Sequence, residues 1–174
     1  LQSVIPFLPK NLDAPVVLVQ HMPAGFTKSM ADRLNETSQI TVKEAAEGDV
    51  LQKGVVYVAP GGKHMEVKKT AGGHAITLNN MPAIGGLRPC ADITYDSLKQ
   101  SGFDQVVCVV LTGMGADGAN GLLQMRKAGA YTIGQDEESC VVYGMPKVAY
   151  DIGAVQYQLG LTNIAGKVCT LLNR

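Results

Sequence analysis

Two residues sit where a hydrolytic site would need them. His21 ends the apolar run Pro15–Gln20 (PVVLVQ). Asp117 lies in the glycine turn TGMGADG that follows a second apolar run, VVCVVL (Val106–Leu111). Both runs read as buried strands, and in open α/β sheets the chemistry gathers just beyond the carboxyl ends of such strands. A histidine held by a carboxylate is the base half of a hydrolytic triad, because the carboxylate fixes the imidazole tautomer and stabilises its charged form. Plainer roles stay open at this level. His21 could only close a strand-end hydrogen bond, and Asp117 could act as an N-cap, as a catalytic acidic residue, or as both. Gln135 and Ser139, which end or follow the next strand, could line the same cleft. Met114 could direct its backbone N–H toward it.

The same glycine turn carries a competing motif. Gly113-x-Gly115-x-x-Gly118 is the dinucleotide fingerprint, and the acidic pair Asp136 and Glu137 follows at a plausible distance. Asp117 argues against that use. A pyrophosphate is held by helix N-terminal amides, and a carboxylate at that place would repel it. A metal site of His21, His64 and Asp117 has no supporting ligand spacing. The residues call for no cofactor. His64 follows a strand and the glycine turn PGGK and is a weaker candidate; His74 is expected to face solvent.

These residues need elements to position them. Apolar residues in the run VVCVVL give way to the glycine turn, then return as Leu122, Leu123 and Met125 at helical spacing, ending in Arg126, Lys127 and Gly129. That is a strand, a tight turn and a helix. Leu1–Leu8 reads as the remainder of a helix stopped by Pro9. Further strands are expected at Thr41–Ala46, Val55–Ala59, Ala130–Gly134 and, as an edge, Ala154–Leu159. His64–Lys69 and His74–Asn79 read as an antiparallel hairpin about Ala71-Gly72-Gly73. Helices are expected at Phe26–Leu34, about Ala91–Gln100, Met145–Asp151 with Pro146 in its first turn, and a last one capped by Thr162. Alternating strands and helices without repeat or boundary predict a single doubly wound α/β domain over 1–174. It has a mostly parallel sheet, helices on both faces and an antiparallel edge hairpin, in the three-layer Rossmann-like style.

Bulk properties agree with an enzyme-sized domain. The 174 residues are 46% hydrophobic and 17% charged, with 15 basic and 15 acidic side chains giving no net charge. The balance argues against nucleic acid or an anionic membrane as the main partner. No run is long enough to span a bilayer. The four cysteines, Cys90, Cys108, Cys140 and Cys169, form no CxxC pair, which suits reduced thiols in a cytoplasmic protein.

Five strings in order carry a resemblance: VxVQHMPxGFT (Val17–Thr27), APGxxHM (Ala59–Met65), RPxxD (Arg88–Asp92), LTGMGxDGxxGL (Leu111–Leu122) and SCVVYGMP (Ser139–Pro146). Together they resemble the catalytic domain of the bacterial chemotaxis protein-glutamate methylesterases, the CheB family. The resemblance implies a serine hydrolase whose Ser-His-Asp triad cleaves methyl esters on chemoreceptor glutamates and deamidates certain receptor glutamines. It places the family's histidine on His21, its aspartate on Asp117 and its oxyanion-linked methionine on Met114. The partners implied are the methylated cytoplasmic helices of chemoreceptors, with a regulatory receiver domain in many members.

The family nucleophile lies in a Gly-x-Ser-Thr-Gly-Gly turn after the first strand, just before the helix in which Leu1 aligns. First strand, serine turn and receiver domain are thus expected to lie outside the 174 residues, and this chain alone is expected to be inactive. Ser3 falls in the helix body and does not replace the missing serine. Cys90 stands where the family tends to have serine. The alternatives are a dinucleotide-binding module and a non-catalytic relative that retains only receptor binding.

Overall fold

The computed structural model describes residues 1–173. Its β-branched runs form strands and its glycine and proline clusters form the turns between them. Val16–Leu18 (β1), Thr41–Glu44 (β2) and Val55–Val58 (β3) make a parallel sheet in the order β1-β3-β2. His64–Thr70 (β4) and Gly73–Asn79 (β5) form the antiparallel hairpin, with Val67 opposite Ile76. Val107–Val110 (β6), Tyr131–Gln135 (β7) and Tyr157–Leu159 (β8) make a second parallel sheet in the order β6-β7-β8.

Among the described residues five helices cover these sheets: Phe26–Thr37 (α1), Ala91–Gln100 (α2), Ala119–Lys127 (α3), Met145–Asp151 (α4) and Ile164–Leu172 (α5). The side-chain alternation of β6 explains why its run is apolar throughout. Val107 and Val109 face a core built with Leu34 of α1 and Ile164 and Leu171 of α5. Cys108 and Val110 face the other way, onto Leu122 and Met125 of α3 and Ala149 of α4. Both faces of this strand are therefore covered, as a parallel strand requires. A third cluster, with Tyr57, Met65, Val67 and Ile76, seats the hairpin beside β3.

Some local expectations do not hold. Leu1–Leu8 is not the body of a helix but a set of turns with a single 3₁₀ turn at Ile5–Phe7, ended where Pro9 removes a backbone donor. Thr162 does not cap the last helix. A 3₁₀ turn at Leu161–Asn163 intervenes, and Asn163 is the residue at the cap. His74 does not face solvent: its ring stacks on Phe103 at 3.8 Å and its Nε2 hydrogen-bonds the Ser101 carbonyl at 2.8 Å.

Candidate active site

β1 delivers His21 and β6 delivers the turn that carries Asp117. The two residues are 96 positions apart in sequence, yet His21 Nε2 lies 2.6 Å from Asp117 Oδ2. The aspartate side chain is 5% exposed and the histidine 23%, so the pair is sheltered but reachable.

The His21 turn is fixed by a second glycine turn, the one after β3. A Cβ on Gly61 would lie 2.5 Å from the carbonyl oxygens of Met22 and Pro23, so only glycine lets these backbones touch. The fully buried Thr27 then pins both. Its hydroxyl donates to Glu44 Oε2 at 2.7 Å and accepts from the Gly61 N–H at 2.9 Å. Glu44 does not stand out in the sequence, and Thr27 does so only as the last residue of the string VxVQHMPxGFT, which gives it no role of its own.

The Asp117 turn is clamped to the loop before α4. The Thr112 hydroxyl donates to the Val142 carbonyl at 3.0 Å and accepts from the Val142 N–H at 2.9 Å. Gly113 N–H donates to the same carbonyl at 3.1 Å, and the Gly113 carbonyl accepts from Met145 N–H at 2.8 Å. Gln135 and Ser139, expected to line the cleft, are spent on holding this clamp. Gln135 is 1% exposed; it accepts from Thr112 N–H at 2.8 Å and donates to the Ser139 carbonyl at 2.8 Å. The Ser139 hydroxyl donates to Asp136 at 2.6 Å and accepts from Leu161 N–H at 3.0 Å. Met114 stands on the crest of the turn, 84% exposed.

Asp117 does not cap its own helix. Gly118, in the left-handed region at φ 86°, is the residue before α3, and it has no side chain with which to cap. Asp117 reaches instead to the start of α2, whose N-cap position is held by Cys90. Its carboxylate accepts from Ala91 N–H at 2.7 Å, Asp92 N–H at 3.1 Å and the Cys90 thiol at 3.1 Å. Burial works against the charge on this carboxyl. The hydrogen bonds from His21, Ala91, Cys90 and Asp92 outweigh it and hold the group at about 2, against an ordinary value of 3.8. Burial, with the bond to Asp117, pushes the Cys90 thiol up to about 11.

This arrangement settles which nitrogen of His21 carries the proton. Every neighbour of the Asp117 carboxylate is a donor, and the carboxylate is ionised, so it can only accept from His21. Nε2 therefore carries the hydrogen, and in the neutral ring Nδ1 has the lone pair. The remaining histidine candidate, His64, is fully buried and uses its Nε2 on the Pro82 carbonyl at 3.0 Å.

The helix start that a dinucleotide would need is occupied from within the protein. Asp92 of α2 places Oδ1 2.7 Å from the Gly121 N–H in the first turn of α3. The amide that would meet a pyrophosphate is already bound to a carboxylate.

Comparison with known proteins identifies the family. The sequence profile described as CheB methylesterase matches residues 1–168. A protein-glutamate methylesterase/protein-glutamine glutaminase of Syntrophomonas wolfei is 50% identical over 165 residues, which are 94% of this chain and 48% of that protein. One from Pyrococcus horikoshii is 49% identical over 94% of this chain and 45% of its own length. The chain spans about half the length of these relatives. The crystal structure of the Thermotoga maritima CheB methylesterase catalytic domain superposes with a TM-score of 0.95 at 42% identity, covering 98% of this chain and 90% of that one. With its parallel sheets, its strand-end histidine and its aspartate turn, the chain belongs to the CheB methylesterase family.

Proposed function

We propose that His21 and Asp117 are the base and the orienting acid of a serine hydrolase that cleaves glutamate methyl esters on chemoreceptors and deamidates receptor glutamines. The observation that carries this reading is the 2.6 Å bond from His21 Nε2 to a carboxylate surrounded only by donors. Such a carboxylate fixes the tautomer and orientation of the ring and steadies the imidazolium that forms when Nδ1 takes a proton.

The nucleophile of this reading is a serine supplied from outside the 174 residues, on a strand that docks between β1 and β6. In support, β1 and β6 each pair with one neighbour only among the described residues, while both border one core with Leu18, Val107 and Val109. A parallel strand paired to both edges would end between the turn of His21 and the turn of Asp117.

The reaction is acyl transfer. Serine Oγ attacks the ester carbonyl carbon while its proton passes to His21 Nδ1. The tetrahedral intermediate collapses, the C–O bond to methoxide breaks, and Nδ1 returns the proton, releasing methanol. Water then attacks the acyl carbon while a proton passes to Nδ1; the C–Oγ bond breaks, Nδ1 returns that proton to the serine Oγ, and the glutamate side chain leaves as its free acid, which ionises. With a glutamine side chain the leaving group is ammonia. The Met114 N–H, on the exposed crest of the glycine turn, is assigned to the oxyanion. The partner is a methylated cytoplasmic receptor helix, regulation belongs to a receiver domain, and the protein works in the cytoplasm. The apolar side chains of Met114, on the Asp117 turn, and Val141, on the loop clamped to that turn, are 84% and 91% exposed and offer such a helix an apolar contact.

The test is methanol release from methylated receptor. A protein extended upstream through the serine turn is expected to release it, and the 174-residue chain is not. Robust release by the 174-residue chain would sink the assignment of the nucleophile. Absence of release by the extended protein would sink the esterase reading.

A further inference from the structure

Two helices begin beside the His21–Asp117 pair, and neither caps itself. Cys90 before α2 and Gly118 before α3 make no side-chain cap bond. Each helix takes its cap from the other's sequence. Asp117, just before α3, accepts from the first two amides of α2. Asp92, the second residue of α2, accepts from Gly121 N–H at the third position of α3. The exchange is tightly built. A Cβ on Gly121 would lie 2.7 Å from both Asp92 Oδ1 and Tyr95 Cβ, so α2 and α3 cross with no room for a side chain between them.

We propose that Asp92 is a positioning residue of the hydrolytic site, holding the first turn of α3 so that Asp117 stays within hydrogen-bond reach of His21. This rests on the reading of His21 and Asp117 as base and orienting acid. Asp92 touches neither reacting atom. It acts through the short link Asp92–Gly121–Gly118–Asp117, which runs from α2 to the first turn of α3, its cap and the residue before that cap. Two carboxylates beside each other repel, and the cost of keeping Asp92 there is visible. Burial and the nearby Asp117 charge raise its pKa against the opposing pull of the Gly121 and Gly118 amides. An ordinary cap needs no second acid next to the first. A cap that also sets where Asp117 sits does need an acceptor at this position.

The experiment reads the pair itself, without substrate, in the 174-residue chain. A short bond from Nε2–H to a carboxylate gives a slowly exchanging, strongly downfield imidazole N–H resonance. In Asp92→Ala this His21 signal is expected to be lost, and in Asp92→Asn, which keeps an acceptor for Gly121, it is expected to persist. Asp96→Asn, on an exposed turn of the same helix, is the control and is expected to leave it unchanged. A folded Asp92→Ala protein that keeps the resonance at its wild-type position overturns the proposal and leaves Asp92 as a helix cap alone. If the alanine variant does not fold, Asp92→Ser, whose oxygen falls short of Gly121, takes its place. Weakening of the signal then supports the proposal and a wild-type signal overturns it. These outcomes are independent of methanol release, so they separate a failure of this role from a failure of the esterase reading.

Discussion

Replacing Asp117 by asparagine removes a charge that four donors stabilise, and the loss is expected to depend on pH in a defined way. The carboxyl titrates at about 2 in the folded protein against 3.8 ordinarily. A depressed carboxyl contributes stability above its unfolded value and loses it as pH falls through the folded one. At about 1.4 kcal/mol per pKa unit, the charge contributes about 2 kcal/mol at pH 7. It contributes about 1 kcal/mol at pH 3 and well under that at pH 2. Urea unfolding of wild type and Asp117→Asn across this range is the assay. The difference between them should be about 2 kcal/mol at neutral pH, or roughly 4–8 °C in Tm for a chain of this size. It should shrink by about half by pH 3. Other carboxyls titrate in both proteins and cancel in the difference. A gap that stays constant from pH 7 to pH 3 would refute the claim that the ionised carboxylate, rather than the shape of the side chain, holds the site.

Three further outcomes follow from the packing around the pair. Gly121→Ala would ordinarily favour a helix by up to about 1 kcal/mol. Here its Cβ meets Asp92 and Tyr95, and a net loss of about 1–2 kcal/mol is expected in thermal unfolding, a gain being contrary. Thr27→Val strands the Gly61 N–H and Glu44 without their shared hydroxyl and should cost about 1–3 kcal/mol in urea unfolding. An unchanged midpoint would mean that the two turns are held by other contacts. Cys90 and Cys108 are buried, with thiols pushed up to about 11 and about 12, whereas Cys140 is partly exposed. A thiol reagent at neutral pH should therefore label Cys140 well before either of the other two, and equal rates would contradict the burial.

The parts of this architecture with local causes are readable from the residues. The run VVCVVL is apolar on both faces because β6 separates two cores, and the hairpin announces itself through alternation around a glycine pair. His21 and Asp117 could be placed on one sheet edge because each follows a strand. What stays hidden is who partners whom across long separations. An aspartate before a helix reads as that helix's own cap, yet Asp117 caps α2 because Gly118 bends the chain in the left-handed region and turns the carboxylate away. Gln135 and Ser139 sit at a strand end, as site residues do, but their hydrogen bonds hold the neighbouring loop. The stretch Leu1–Leu8 carries helical spacing, yet with Pro6 and Pro9 so close together it closes only one 3₁₀ turn. Asp92 and Thr27 each close one of the ordered strings, yet nothing local gives their roles, since each acts through a backbone amide more than 25 residues away.

The central claim is that Nδ1 of His21, freed by the bond of Nε2 to Asp117, is the base of an ester hydrolase. Turnover of methylated receptor by the serine-containing extended protein, with and without His21→Ala, tests it most directly. The account predicts that the variant folds with wild-type circular dichroism and that kcat falls by at least about 10³-fold. Unchanged turnover in a folded His21→Ala protein would contradict it.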